Sequence, residues 1–321
     1  MNGFQKILYL SNPSVAQDTA LARAVSLAEN NQADLTAADV IPVVTAGLTM
    51  PPGGPVSSEL QAAMEADHRQ ALESLVAPHR RRTGIRVEVL TGHLFVAAIR
   101  AVIRERYDLV MKPADDPDWL ERLFSSEDMH LLRKCPCPVW LTKSPEKSNY
   151  GCIVAAVDFD PSRTDAVDQE LNHHIIELAG SIALSDFAEL HVVHAWDVPE
   201  AGFIRSWADH PAELETRVTE NALAGHRRGM DGMKKMLSAH IGREAFDYLA
   251  PRFHLSRGPA IHVVPDLARR LSADLVVMGT VGRTGIPGLI IGNTAEGILD
   301  QLTCSVLAVK PPGFVSPVKA A

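Results

Sequence analysis

The sequence predicts an α/β protein in which two tandem, doubly wound and mainly parallel-sheet domains form an internal pseudo-dimer. The first observation behind this prediction is an alternation of short runs of branched apolar residues with longer amphipathic segments, which is typical of parallel strands connected by helices. The second is a set of matching residues that recurs along the chain at a nearly constant spacing, as expected for a duplicated domain.

The matching residues lie 166 or 167 positions apart. They are glycines before helical stretches, aspartates before apolar runs and cysteines before the last strand of each copy: Gly92 and Gly258, Asp108 and Asp274, Cys137 and Cys304. The opening strands, Lys6–Leu10 and Cys152–Ala156, are only 146 positions apart, so the second copy is longer near its start. We therefore predict an N-terminal domain at 1–143, a linker at 144–150, a C-terminal domain at 151–313 and a tail at 314–321.

Each copy is expected to run β-α-β-α-β-α-β-α-β, with right-handed crossovers. In the first copy the predicted strands are residues 7–10, 34–40, 87–90, 109–112 and 139–142. The predicted helices are residues 19–30, a long helix after the turn-rich residues 45–56, and then 95–106 and 127–133. The first helix carries Leu21, Val25 and Ala28 on one face. For the long helix, Ser58 and Gln61 predict a capping box at its start.

The second copy repeats this order, but the sequence does not decide where one of its helices begins. Pro265 lies inside the segment that is expected to be helical after Gly258. Proline lacks the backbone N–H group and clashes with the preceding turn, so this helix either begins near Val264 or kinks at Pro265.

Composition excludes several classes of function. The chain has 321 residues, of which 22% are charged and 46% hydrophobic, and its net charge is -8. The basic residues are dispersed, and the densest run, residues 79–82, follows a predicted helix, so nucleic-acid binding is not expected. No signal-peptide core or membrane-length apolar run is found, so we expect a cytoplasmic protein without membrane insertion. Four cysteines without a complementary ligand set predict no metal site.

A glycine-rich loop is the most informative local feature. Gly279, Gly282 and Gly292 follow the apolar run 275–278 and lead into a predicted helix at 295–302, whose N-cap would be Asn293 or Thr294. Glycine at a strand end lets backbone N–H groups approach an anion, and a helix N-terminus adds unpaired donors. This combination predicts a phosphate site at the edge of the sheet where open α/β sheets bind ligands.

The gaps between these glycines, two residues and then nine, resemble the nucleotide-binding pattern of the universal stress protein family in its tandem two-domain form. The resemblance covers nearly the whole chain and implies Rossmann-like domains. In the nucleotide-binding branch of the family, the three glycines wrap the triphosphate and ribose of ATP, which makes ATP, with or without Mg²⁺, the expected ligand. The nucleotide-binding residues that it implies are Asp158, Ala195, Met278, Gly279, Gly282, Arg283, Gly292, Asn293 and Thr294.

The resemblance also implies roles for the residues outside the loop. Asp158, expected at the end of the first strand of the second copy, would contact the adenine, and Ala195 would do so through its backbone. Met278 would line the base or the ribose. Asn293 departs from the serine that is usual in the family, while Thr294 still offers a hydroxyl group at that corner.

The first copy lacks this loop. Its equivalent residues, 111–126, contain no glycine, and Pro113 and Pro117 supply no N–H donors. Four acids also stand where phosphates would lie, namely Asp115, Asp116, Asp118 and Glu121. We therefore expect the first copy not to bind ATP in this manner, and to pair with the second copy instead. The last strands, 139–142 and 306–309, would be exposed edges that meet, and two chains could associate further as a homodimer.

Motifs for catalysis are missing. The sequence has no phosphate-binding Gly-x-x-x-x-Gly-Lys-Ser/Thr loop, no Gly-x-Ser-x-Gly elbow and no His-Glu-x-x-His pair. His173, His174, His191 and His194 have no complementary Asp or Cys set along the sequence, so a structural or surface role is expected for each. We expect slow ATP hydrolysis at most.

Two kinds of function remain open. The first is a stress-response protein that binds an adenine nucleotide through its C-terminal domain and acts by ligand-dependent conformation or partner contacts. The second is an ATP-independent binder of apolar or lipid-like metabolites, with the turn-rich residues 51–55 and the tryptophan-containing residues 198–207 covering hydrophobic pockets.

Overall fold

A computed structural model describes residues 3–44, 54–115, 127–143, 146–162, 166–198, 211–280 and 292–320. Within these ranges the chain forms a single sheet of ten strands covered by helices on both faces. The strands are β1 Lys6–Leu10, β2 Asp34–Ile41, β3 Ile85–Thr91, β4 Leu109–Pro113, β5 Val139–Thr142, β6 Cys152–Ala156, β7 Glu189–Trp196, β8 Arg252–Arg257, β9 Leu275–Gly279 and β10 Ser305–Val309. This mainly parallel α/β fold confirms the predicted fold class.

The strand order is β3-β2-β1-β4-β5-β10-β9-β6-β7-β8. All neighbours within a half are parallel, and the first strand of each half, β1 or β6, lies near the middle of its half. The last strands of the halves pair antiparallel, with Trp140 opposite Leu307. The two halves are therefore related as the halves of a symmetric dimer would be, with the seam at β5 and β10.

Nine α-helices connect the strands in the described residues. They are α1 Asp18–Asn31, α2 Pro55–Val76, α3 Leu94–Glu105, α4 Glu127–Lys134, α5 Ala166–Asp186, α6 Pro211–Ile241, α7 Arg243–Leu249, α8 Ala260–Arg270 and α9 Asn293–Leu299. The predicted capping box is wrong, because α2 begins at Pro55 with Gly54 as its N-cap, which places Ser58 and Gln61 inside the helix. Proline is well suited to the first helical position, since its missing N–H group would be unpaired there in any case.

Pro265 lies inside α8, and the helix begins before it, at Ala260. A proline at this position leaves the carbonyl of Ile261, four residues earlier, without its helical donor. The side-chain amide of Gln301 donates to that carbonyl at 2.9 Å and also to the carbonyl of Gly297 at 2.8 Å. The side chain of a neighbouring element therefore compensates for the hydrogen bond that the proline removes.

Each face of the sheet carries one apolar core that continues across both halves. At the seam, the fully buried Trp140 donates to the hydroxyl group of Tyr150 at 3.2 Å. Arg23 from α1 lies over the Tyr150 ring and forms an ion pair of 2.8 Å with Asp186 at the end of α5. The two halves thus share both apolar packing and a buried charged contact. Among the helices of the described ranges, none has the length and apolar content needed to cross a membrane.

Candidate functional site

A cleft of about 370 Å³ opens at the carboxyl ends of the strands of the C-terminal half. The parallel strands β6, β7 and β9 end on the same side of the sheet, and α5, α8 and α9 form the walls. The cleft is lined by Ala156, Val157, Asp158, Leu171, Asn172, Ile175, Ala195, Ala260, Val264, Met278, Gly279, Gly292, Asn293, Thr294, Ala295 and Ile298. Its volume lies within the range of about 300–1,000 Å³ that is usual for small-molecule sites.

Seven of the nine residues that the sequence analysis selected line this cleft. They are Asp158, Ala195, Met278, Gly279, Gly292, Asn293 and Thr294. The other two, Gly282 and Arg283, lie outside the described residues. Residues 51–53 and 199–207, which belong to the segments considered for the alternative apolar ligand, lie outside them as well.

The two ends of the glycine-rich loop are held together by the backbone. The N–H group of Gly292 donates to the carbonyl of Thr280 at 3.0 Å, and the N–H group of Thr280 donates to the carbonyl of Val309 at 3.2 Å. Thr280 is fully buried. Thr280 and Gly292, the described residues on either side of 281–291, are therefore in direct contact beside the cleft.

The start of α9 differs from the prediction. The helix begins at Asn293 with Gly292 as its N-cap, so Asn293 and Thr294 are its first two residues and not its cap, and it ends at Leu299. No side chain caps it. Both residues still line the cleft, at the helix end where backbone N–H groups have no partner within the helix.

Asp158 lies two residues beyond the end of β6, and not in the strand as predicted. Its backbone is held by Asn172 of α5 through two hydrogen bonds. The N–H group of Asp158 donates to the Asn172 Oδ1 atom at 3.0 Å, and the Asn172 Nδ2 atom donates to the Asp158 carbonyl at 2.7 Å. Asn172 is buried whereas Asp158 is exposed, so this contact fixes the position of a solvent-accessible carboxylate at the cleft.

Gly279 lies at another wall of the cleft, packed against Leu171 of α5. A Cβ atom added at this position would lie 2.9 Å from Cδ2 of Leu171, which is too close without movement of that side chain. Both residues line the cleft. A glycine at the end of β9 therefore lets the Leu171 side chain of α5 pack directly against the strand end beside the cleft.

Lys310, which the sequence analysis did not select, is buried behind the loop. Its Nζ atom donates to the hydroxyl group of Thr280 at 2.6 Å and to the carbonyl of Leu132, and it lies 4.9 Å from the centre of the Phe314 ring. Burial lowers the pKa of this ammonium group to about 8. Its contact with Thr280 supports the point where the loop leaves the sheet. The only sequence signal for this buried lysine is its position directly after the last apolar strand.

The corresponding place in the N-terminal half is filled by an ion-pair cluster. The fully buried Lys112 contacts the carboxylate of Asp115 and pairs with Asp128 at 2.8 Å. Asn12, the counterpart of Asp158, donates to the carbonyls of Pro113 and Ala114 and to the Asp115 carboxylate. The acid at Asp115 is thus matched by a lysine instead of facing an open site, while Asp116, Asp118 and Glu121 lie outside the described residues.

The histidines have partners that the sequence did not reveal. His191 and His194 of β7 are buried, and they contact His254 at 2.8 Å and His226 at 2.9 Å, in keeping with a structural role. His173 differs, because Glu177 of the same helix and His240 of α6 lie beside it. The residues next to His173 are thus a glutamate and a second histidine, a combination that the sequence analysis did not consider.

Comparisons with known proteins agree with this architecture. The model of the universal stress protein family matches the chain twice, at residues 3–143 and 149–310. The chain is 30% identical over 333 residues to universal stress protein E of Escherichia coli (strain K12), covering 98% of this chain and 97% of that one.

Solved structures show the same fold. A crystal structure from Pseudomonas aeruginosa UCBPP-PA14, described as that of a universal stress protein, superposes with a TM-score of 0.68 at 28% identity, covering 97% of this chain and 94% of that one. A universal stress protein from Archaeoglobus fulgidus DSM 4304 does so with a TM-score of 0.58 at 17% identity, covering 97% and 98%. The chain belongs to the universal stress protein family, with two family domains in tandem.

Proposed function

We propose that this chain is a stress-response protein that binds ATP, with or without Mg²⁺, in the cleft of its C-terminal half, and that it acts through ligand-dependent conformation or contacts with partners. The observation that carries the proposal is the convergence of seven residues from four separate parts of the sequence on one cleft at the carboxyl edge of a parallel sheet. This is the edge at which open α/β sheets bind nucleotides.

The adenine is assigned to the part of the cleft next to Asp158, Ala195 and Met278. The exposed Asp158 carboxylate can accept a hydrogen bond from the exocyclic amine of the base. Ala195 lies at the end of β7, where its small side chain leaves the backbone accessible to a planar ring, and Met278 supplies a polarizable apolar surface. Of these three contacts, the one with the Asp158 carboxylate favours an adenine over a base that carries a carbonyl in place of the exocyclic amine.

The phosphates are assigned to the other end of the cleft, between Gly279 and the start of α9. Gly279 places no side chain at this end of the cleft, and a backbone hydrogen bond holds Gly292 next to Thr280. Thr294 adds a hydroxyl donor, and backbone N–H groups of the first helical turn lack partners within the helix. Gly282 and Arg283 lie outside the described residues, and their contribution to phosphate binding stays a prediction from the sequence.

The proposal does not include dedicated catalysis. Phosphoryl transfer needs a base and a metal-holding carboxylate next to the terminal phosphate. In the described part of the cleft, Asp158 is the acid that lines it, and its proposed role is at the adenine end. We therefore propose slow ATP hydrolysis at most. The proposed partners of the chain are the nucleotide and a second copy of the same chain.

Thermal unfolding of the full chain with and without Mg-ATP tests the proposal. Ligand at about 100 times its dissociation constant should raise the free energy of unfolding by about 2.7 kcal/mol. Gly279→Ala should weaken this gain, because the added methyl group displaces the Leu171 side chain, which also lines the cleft. A tenfold lower affinity would reduce the gain to about 1.4 kcal/mol at the same ATP concentration.

The matched control is Gly232→Ala. Gly232 lies on α6, and a Cβ atom added there has no heavy atom within 4 Å, so the response to ATP should be unchanged. A parent protein that does not respond to Mg-ATP, but that co-purifies with an apolar or lipid-like metabolite by mass spectrometry, would contradict the proposal and support the alternative ligand. The apolar lining of the cleft, which includes Ile175, Val264 and Ile298, would then be the surface concerned.

A further inference from the structure

Three potential metal ligands meet between α5 and α6, on the side of α5 away from the sheet. The Nε2 atom of His173 lies 3.2 Å from the Oε1 atom of Glu177, and the Nδ1 atom of His240 lies 2.9 Å from the same oxygen. The ligand atoms of all three residues lie within 4.8 Å of one another. We propose that His173, Glu177 and His240 form a zinc-binding site that joins α5 to α6.

The fold brings these residues together in two ways. His173 and Glu177 are four residues apart on α5, so they lie on the same face of the helix one turn apart. His240 comes from the last turn of α6. The two helices pack closely here because Gly180 has no side chain: a Cβ atom added there would lie 2.8 Å from Cδ1 of Leu237. This close packing keeps the third ligand next to the other two.

The ligand set and its dimensions fit zinc. Two imidazole nitrogens and one carboxylate oxygen are among the common three-ligand sets of protein zinc sites. Ligand atoms about 2.0–2.1 Å from a tetrahedral zinc ion lie roughly 3.3 Å apart. The two histidine–glutamate separations, 3.2 and 2.9 Å, are close to this value, and the two histidine nitrogens lie within 4.8 Å of each other. Among the residues that the structure describes, no other group of three His, Cys, Asp or Glu side chains brings its ligand atoms this near to one another.

The site is open to solvent, since the side chain of His173 is 48% exposed, that of Glu177 34% and that of His240 16%. Small rotations of the half-exposed His173 can therefore complete the tetrahedron, and water can take the fourth position. Imidazole ligands favour zinc over Mg²⁺, which prefers an all-oxygen set. The zinc site is thus separate from any magnesium that accompanies a nucleotide.

Its position links it to the cleft. Asn172, which holds the backbone of Asp158, directly precedes His173 on α5, and Leu171 and Ile175 from the same stretch line the cleft. A zinc ion would fix the outer face of the helical turn whose inner face forms a cleft wall. The zinc site itself does not depend on the nucleotide proposal.

The experiment is titration of the full, metal-free chain with Zn²⁺ by calorimetry, in competition with a chelator of known affinity. We expect one zinc ion per chain, and a loss of affinity of about tenfold or more in each of His173→Gln, Glu177→Gln and His240→Gln, since even residues that only orient metal ligands contribute about 10–100-fold. His174→Gln, at the neighbouring position on α5, and His262→Gln, on α8, are the matched controls and should bind zinc as the parent does.

Cobalt spectra add a readout that does not depend on affinity. Co²⁺ bound to two imidazoles and a carboxylate should give visible bands without the sulfur-to-metal transition that thiolate ligands produce. Circular dichroism of each metal-free variant establishes that it is folded. A thiolate spectrum, or zinc binding that survives all three substitutions, would place the metal elsewhere, for instance at Cys135 and Cys137, whose sulfurs are 3.6 Å apart. A parent protein that binds no zinc would show that the contacts are only His–Glu ion pairs, and would also overturn the proposal.

Discussion

Lys112 and Asp128 form a buried ion pair of 2.8 Å in the N-terminal half, where the C-terminal half places Met278 and Thr294 at its cleft. The same structural position thus contains either a charge pair that fills it or residues that line a cavity. The ion pair is shielded from water, because Lys112 is fully buried and Asp128 is 4% exposed. Burial raises the pKa of the Asp128 carboxyl group, while Lys112 acts in the opposite direction. This contact makes the two halves chemically different although their folds match.

Asp128→Ala should therefore destabilise the protein, because, among the described residues, it leaves the buried Lys112 ammonium with only the Pro113 carbonyl and the partly exposed Asp115 carboxylate. Removal of one member of a buried pair costs about 3–5 kcal/mol. Urea unfolding measures the loss, and Asp266→Ala, which breaks an exposed ion pair with Arg269, is the control, with an expected effect of about 0–1 kcal/mol. Equal and small effects of both substitutions would show that Lys112 does not need Asp128.

Asn172→Ala should weaken ATP binding. The substitution removes both hydrogen bonds that position the backbone of Asp158, and two such bonds are worth about 1–3 kcal/mol. We expect roughly a tenfold or greater rise in the dissociation constant for ATP, measured by calorimetry. Asn30→Ala, which removes an exposed hydrogen bond to Ser185, should leave ATP binding unchanged. Equal ATP affinities in both variants would show that Asn172 does not contribute to ATP binding.

Lys310 should make stability depend on pH in the alkaline range. Below about pH 8 the ammonium group is charged in both the folded and the unfolded chain, and the cost of burying it is fully present. Between about pH 8 and pH 10.5 the folded protein has lost this proton while the unfolded chain still holds it, so this residue makes the free energy of unfolding rise with pH. The gain from Lys310 should be ~3 kcal/mol at most.

The measurement is urea unfolding of the parent and of Lys310→Met from pH 7.5 to about pH 10.5. Groups in this range that do not interact with Lys310 are common to both proteins and cancel in the difference between them. The buried Cys135 thiol does interact with Lys310, so Cys135→Ala is introduced into both proteins before they are compared. The stability of the parent relative to the variant should increase with pH. Parallel pH curves would mean that Lys310 keeps an ordinary pKa in the folded protein.

Gln301 and Pro265 should show an energetic coupling. Gln301→Ala leaves the Ile261 carbonyl without the donor that replaces the one lost at Pro265, which should cost about 1–3 kcal/mol. Pro265→Ala restores the helical N–H group, so Gln301→Ala should cost less in that background. A double-mutant cycle of urea unfolding measures this difference. Additive effects would show that the two residues act independently.

Much of the fold could be predicted from the sequence because buried parallel strands are continuous apolar runs. The predicted strand 139–142 coincides with β5, and predicted strand 109–112 falls one residue short of β4. Helix starts were less predictable, because a capping box and a Gly-Pro pair both occur near the start of α2 and only the second is used. The sequence also could not show that α8 begins before Pro265. The side chain that replaces the hydrogen bond lost at Pro265 belongs to Gln301, in a later part of the chain.

The candidate site was predictable to the extent that it is made of strand ends. Parallel strands of one sheet place their carboxyl ends at the same edge, which is why residues as distant as Asp158 and Thr294 meet in one cleft. Asn172, Lys310 and His240 were missed for a common reason. Each acts through a partner at least fourteen residues away, and no local pattern shows which face of a helix or strand will meet that partner.

A crystal structure of the full chain grown with ATP and Mg²⁺ tests the central claim most directly. We expect one nucleotide per chain, with its adenine next to Asp158 and its phosphates between Gly279 and Thr294, and no nucleotide beside Lys112. A vacant C-terminal cleft at saturating ATP, or a triphosphate bound in the N-terminal half, would contradict it.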